Sequence, residues 1–203
     1  MNYPLAVLLV TCLSPSFVAA ASYDSYHLSP VQLGVISGMT YGGEEIGEKV
    51  TVSGNNLTSD LAVRSGNLYF WMARAAVNIN RKTGVMIDMG QHWHIYDEDD
   101  GKVSFNRYRV AILPFYRDHY SLRWALGPSL DFGAEYQADL SSGESINENF
   151  DPAFGIVGDI SFDPLESFYV FGIKAQWVNY HGDNSTNVSG SHIGAYIGIE
   201  LDY

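Results

Sequence analysis

The sequence predicts an all-β fold, a single eight-stranded antiparallel up-and-down transmembrane β-barrel, and three observations carry that prediction. From about residue 31 to the C-terminus, apolar and polar residues alternate with a period of two, as they do in strands whose successive side chains point to opposite faces. Beyond the N-terminal segment no stretch offers the about eighteen consecutive apolar residues of a membrane-spanning helix, so a crossing must be made by closed strands. The connections also sort into long and short ones in a pattern that fits such a barrel.

The first element is not a strand. Leu5-Ala-Val-Leu-Leu-Val-Thr-Cys-Leu13 is apolar but too short to span a bilayer. The small residues of Phe17-Val-Ala-Ala-Ala-Ser22 follow it, as before a signal-peptidase cut. Residues 1–21 are therefore expected to be a signal peptide and 22–203 the barrel domain, although the n-region lacks Lys and Arg. A rival reading lipidates Cys12, but Thr11 fits a lipobox poorly. Cleavage would remove Cys12, the only cysteine, and with it all thiol chemistry.

Eight alternating segments follow, near 31–41, 67–80, 84–97, 102–116, 119–137, 153–163, 167–180 and 192–203. In the third, Val85, Ile87, Met89, Trp93 and Ile95 oppose Asp88, Gly90, His92 and His94. In the fifth, Leu122, Trp124, Leu126, Leu130, Phe132, Ala134 and Tyr136 oppose Arg123, Ala125, Gly127, Ser129, Asp131, Gly133 and Glu135. In the sixth, Phe154, Ile156, Ile160 and Phe162 oppose Val157, Asp159 and Ser161. In the seventh, Tyr169, Phe171, Ile173, Ala175 and Trp177 oppose Gly172, Lys174 and Gln176. The last segment is the clearest: Ile193, Ala195, Ile197, Ile199, Leu201 and Tyr203 oppose His192, Gly194, Tyr196, Gly198, Glu200 and Asp202. The connections at 42–66, 138–152 and 181–190 are long; those at 80–84, 97–101, 117–118 and 163–167 are short. Outer-membrane barrels have long external loops and short periplasmic turns, which places both termini on the periplasmic side.

Alternation does not say which face points inward, since a soluble lipocalin-like barrel would bury the apolar one. Two features favour the membrane reading. Aromatic residues of the apolar face gather toward strand ends, with an expected girdle that includes Trp71, Trp93, Trp124, Tyr136, Tyr169 and Trp177. The polar face carries a balanced set of charges: Arg74, Arg107, Arg109, Arg123 and Lys174 against Asp88, Asp131, Glu135, Asp159 and Glu200, with His92 and His94 beside them. A sealed lumen needs that balance because unpaired buried charge is costly. An eight-stranded barrel has room only for its own side chains, so the expected interior is a charge-paired plug and not a wide channel. Much of the net charge of −12 then falls on the long-loop end, in residues such as Glu44, Glu45, Asp97, Asp100, Glu148 and Asp183. Nucleic acid is excluded as a partner by that sign.

The closing pattern of Ile197, Ile199, Leu201 and terminal Tyr203 resembles the C-terminal signal of outer-membrane β-barrels, with Tyr in place of the usual Phe. The mature chain resembles the small eight-stranded barrels of Gram-negative bacteria: the OmpA membrane domain, the OmpX/Ail group and the lipid A deacylases. The resemblance implies export through the periplasm, insertion by the barrel-assembly machinery and residence among outer-membrane lipid and lipopolysaccharide. It says nearly nothing about activity, because these proteins share architecture and not chemistry.

Two patterns have chemical potential. His92-Trp-His94 puts two imidazoles on one face, which binds zinc only if a third ligand converges. Asp97-Glu-Asp-Asp-Gly101 clusters carboxylates without the ligand spacing of a dedicated calcium site. Lipid A deacylases use a Ser/His pair on the outer wall, but His192 falls on the expected inner face, and Ser191 and His181 match their motif only loosely. The expectation is a non-enzymatic barrel without cofactor, catalytic or metal residues, acting structurally or at the surface through an unidentified external ligand. The alternative is an outer-leaflet lipid A-modifying hydrolase.

Overall fold

A computed structural model of the chain describes residues 30–46, 50–51, 58–59, 63–66, 68–98, 101–118, 122–140, 145–163, 167–182 and 187–203. The expected signal peptide, with Cys12, lies outside the described residues, as do Asp99, Asp100 and Asp183. Eight long strands form the staves: β1 (Val31–Gly42), β2 (Tyr69–Asn78), β3 (Thr83–Glu98), β4 (Gly101–Arg117), β5 (Leu122–Leu140), β6 (Ala153–Phe162), β7 (Tyr169–His181) and β8 (His192–Asp202). Each pairs antiparallel with the next, and β8 returns to β1 through Leu33 opposite Leu201 and Val35 opposite Ile199. The sheet is thus a closed eight-stranded up-and-down barrel. Closure leaves no edge among the staves, which is what a bilayer demands of strands.

Strands β3, β4 and β5 have 16, 17 and 19 residues. A crossing takes about 9–11 residues, so these three run on well past the others at the long-loop end. The connection expected at 138–152 is partly strand, because β5 continues to Leu140 and Ser145–Phe150 folds back beside it. The 42–66 connection carries its own ladder, Glu45–Ile46 against Val63–Arg64 and Val50–Thr51 against Thr58–Ser59. At the opposite end the turns are tight. The Asn80 carboxamide oxygen accepts from the backbone N–H groups of Lys82 (2.8 Å) and Thr83 (3.0 Å), the local bonding that suits Asn to turns.

Sidedness follows the alternation. Val35, Ile87, Ile112, Leu126, Ile156, Ile173 and Ile197 project outward and are exposed, while their chain neighbours are packed inside. Three apolar clusters fill the interior between the charged groups. Ile46, Leu68, Phe105, Tyr136, Phe150 and Tyr180 belong to the one at the long-loop end. A second lines the wall from β2 to β6, with Met86, Leu113 and Phe115. The third joins Ile36, Phe70, Met72, Val170 and Tyr196 across β1, β2, β7 and β8.

One strand breaks its own phase. Between Asn106 opposite Glu135 and Tyr108 opposite Phe132, the single residue Arg107 of β4 faces two of β5, Gly133 and Ala134. Gly133 has φ +59°, a left-handed conformation that glycine alone enters without a Cβ penalty. Such a bulge adds one residue to one strand and reverses every later side chain on it. Asp131 points inward, but after the bulge so do Ala134, Tyr136 and Ala138. Two expectations are therefore corrected. Tyr136 is not part of the outer aromatic girdle but is buried inside. Glu135 is not a lumen carboxylate but faces outward, where it accepts from Gln137 (2.7 Å) and Asn147 (3.2 Å).

Candidate functional site

Most charged residues of the inner face assemble into two sets that share no hydrogen bond or ion pair among the described residues. The first is centred on Arg74 of β2, opposite Asp88 of β3 in register. The Arg74 guanidinium donates to both Asp88 oxygens (2.7 and 2.9 Å), to Asp159 (3.1 Å), to Glu200 (3.2 Å) and to the Tyr196 hydroxyl (3.0 Å). Arg123 of β5 grips Glu200 with two N–H groups (2.9 and 2.6 Å) and donates to Ser161. Lys174 of β7 pairs with Asp88 and stands 3.6 Å from Asp159. Three cations thus meet three carboxylates, all buried. Two-pronged guanidinium–carboxylate contacts are among the strongest polar interactions available to side chains.

The second set lies nearer the long-loop end. Arg109 Nε donates to Asp131 Oδ1 (3.2 Å), and Arg107 Nε stands 3.4 Å from Asp131 Oδ2. Arg107 also donates to the Tyr180 hydroxyl (2.6 Å), which in turn donates to Asp131 (2.5 Å). Gln176 accepts from Arg109 and donates to Asp131 (2.9 Å) and Ser129 (3.1 Å). His92 stacks on Phe70 at 5.1 Å and meets the His192 ring edge-on at 5.7 Å. His94 is half-buried and joins neither set. Among the described residues no group of three His, Cys, Asp or Glu could hold a metal.

The sequence reading overlooked Tyr180, Gln176, Tyr196 and His192 as partners of these charges. Tyr180 continues the inward phase of Lys174 and Gln176 beyond the stretch assigned to faces, so the alternation held the signal. Arg117, at the expected 117–118 connection, ends β4 inside the barrel, bound to Asp163 (3.2 Å) and to Gln32 (3.0 Å). Burial pushes the Asp163 carboxyl, in the turn after β6, above its ordinary range, and Arg117 offsets this only in part.

On the outer wall Trp71, Trp124, Tyr169 and Trp177 are exposed and Trp93 is half-exposed. Tyr116, Trp124, Phe162 and Tyr169 sit toward the short-turn end, Tyr69, Trp93 and Trp177 toward the other. Ile197, Ile199, Leu201 and Tyr203 form one outward row along the last strand. Near the long-loop end, a recess of about 770 Å³ is lined by Phe154, Ile156 and Trp177 with Asp151, His181 and Ser191. The Ser191 hydroxyl is bonded to the Val178 N–H (3.4 Å) and the Ser189 hydroxyl (3.2 Å), not to His181.

Comparison with solved structures returns the same closed-barrel fold. Neisserial surface protein A is similar over 84% of this chain and 96% of its own, at 12% identity and a TM-score of 0.50. The fold is that of the small outer-membrane barrels. Ail, the attachment invasion locus protein of Yersinia pestis, is similar over 85% of this chain and 97% of its own, at 16% identity and a TM-score of 0.49. No family model matches the chain, and no curated protein matches it significantly.

Proposed function

We propose that this protein is an integral outer-membrane barrel that acts without catalysis, structurally or by surface interaction through acidic external loops. The observation that carries the reading is sidedness. Isoleucine, valine, leucine and aromatic side chains are exposed around the staves, while buried arginine, lysine, aspartate and glutamate meet inside. In water that arrangement would expose an apolar belt far larger than a soluble monomer tolerates; in lipid it is the stable one. The expected signal peptide would deliver the chain to the periplasm. The outward row ending in Tyr203 would be the surface presented to the barrel-assembly machinery, and outer-membrane lipid and lipopolysaccharide would cover the wall. The ion-paired interior supports a plugged lumen, because each cation of the first set is held by carboxylates from other staves.

Heat-modifiable gel mobility of the detergent-extracted protein tests the barrel reading. A freely water-soluble protein with no affinity for micelles would refute it. Planar-bilayer recording tests the plug, with steady current as the contrary result. In the hydrolase alternative Ser191 and His181 line one recess, but the Ser191 hydroxyl is bonded to Val178 and Ser189, not to His181 as activation by a neighbouring base requires. Mass spectrometry of lipid A from cells with and without the protein separates the two: an unchanged acyl pattern is expected, and a lost acyl chain would favour the hydrolase.

A further inference from the structure

The two sets of buried charge differ in balance. In the first, Arg74, Arg123 and Lys174 face Asp88, Asp159 and Glu200. In the second, Arg107 and Arg109 face Asp131 alone. Glu135 would have balanced that set, but the Gly133 bulge turns it out of the barrel. With His92 and His192 neutral, a net charge of +1 is left inside the wall. Leaving a buried charge uncompensated is among the most costly arrangements in a folded protein.

The hydrogen bonding points the same way. Asp131 already accepts from Arg109, Gln176 and Tyr180 and stands beside Arg107. The His192 Nδ1 lies 2.7 Å from the Gly190 carbonyl oxygen, so it carries the proton and donates there. That tautomer leaves Nε2 to accept from Arg109 at 3.2 Å. It also means that Nδ1 cannot accept from the Arg107 N–H group 3.2 Å away, which faces another donor. Arg109 Nη1 and both ring nitrogens of His92 are buried and meet no hydrogen-bond partner among the described residues. His92 is opposite Arg107 in register and next to Arg109, which faces Gly90. Arg107, Arg109 and His92 are thus neighbours on β3 and β4, and beyond the already shared Asp131 their remaining donors have no acceptor carrying negative charge among the described residues.

We propose that Arg107, Arg109 and His92 form a buried anion site that takes one small monovalent inorganic anion of the halide type. A single negative charge neutralises the set, and a spherical acceptor satisfies donors that arrive from several directions. A multiply charged anion would reverse the imbalance instead of removing it. The apolar cluster of Phe105, Phe150 and Tyr180 lies beyond the set at the long-loop end, so the anion enters as the barrel closes and exchanges slowly afterwards.

The test uses the full mature chain, unfolded in urea and refolded into micelles with bromide as the only halide, against gluconate at equal ionic strength. Crystals grown from the bromide sample should show one anomalous peak among Arg107, Arg109 and His92. Once bromide exceeds its dissociation constant, the folding equilibrium constant should rise about tenfold per tenfold increase in bromide. The charge-balancing variant Arg109→Gln should lose that dependence. Should Arg109→Gln fail to fold, the anomalous map of the unmodified protein decides alone. Ordinary solvent density at the site overturns the proposal. So do bromide peaks confined to surface residues, which would mark an adventitious ion only.

Discussion

Replacing Arg74 with methionine keeps a long side chain inside the barrel but deletes the cation around which the first set is built. Its guanidinium touches Asp88, Asp159 and Glu200, and all four residues are buried. After the change Lys174 and Arg123 remain to hold three carboxylates, so one buried negative charge goes unmatched. Removing one partner of a buried ion pair costs about 3–5 kcal/mol, which is roughly two to four powers of ten in the folding equilibrium constant. Two comparisons isolate the cause. Arg64→Met breaks an ion pair of the same kind at 3.0 Å with Glu45, but those side chains are 43% and 53% exposed, and screening limits the loss to under about 1 kcal/mol. The double variant Arg74→Met/Asp159→Asn restores balance, with Lys174 left to Asp88 and Arg123 to Glu200. It should therefore be more stable than Arg74→Met alone. The assay is urea unfolding in micelles, followed by tryptophan fluorescence and by heat-modifiable mobility. If Arg74→Met is no worse than Arg64→Met, or if the double variant loses the sum of both single changes, the charge argument fails.

Three further outcomes follow from the same physics. Ile173 is exposed at the middle of β7, between Ile160 and Ala195, so Ile173→Arg should cost about 2–4 kcal/mol in lipid, whereas a water-facing wall would accept it with little change; unfolding from vesicles against urea reads the difference. Gly133→Ala should lower stability by about 1–2 kcal/mol from the left-handed backbone, since its new Cβ meets only Tyr108 at an ordinary 3.4 Å; Gly133→Asn, which tolerates that conformation better, should lose less in the same titration. Asp163 holds its proton more tightly folded than unfolded, so its contribution to stability is complete below the unfolded value of about 3.9 and is lost as pH rises through the higher folded value; from pH 4 upward the protein should lose stability relative to Asp163→Asn, and parallel pH profiles would contradict this.

Strand number and the two faces of the third, sixth, seventh and eighth staves were open to reading from the chain, because each depends on a period of two that successive side chains impose locally. Lys174, Asp159, Asp88 and Glu200 could be placed inside from that period alone. The fifth stave could be read only as far as Asp131. A one-residue bulge costs the sequence a single glycine and leaves no mark in the pattern, since Ala134, Glu135 and Tyr136 alternate as convincingly in either phase. Only pairing with β4, where Arg107 stands opposite two residues, settles that Tyr136 enters and Glu135 leaves.

The sequence by itself determined that the chain closes on itself with ions on one face and hydrocarbon on the other, since alternation and connection length are local properties. The tertiary structure decided which ions meet. Arg74 finds Glu200 across 126 positions of chain and Arg107 finds Tyr180 across 73, and such contacts exist only once strand tilt and register are set by the whole ring. The unequal division of charge between the two sets is likewise a property of the closed barrel, because the backbone conformation at Gly133 turns Glu135 out of the wall and leaves Arg107 and Arg109 with Asp131 alone.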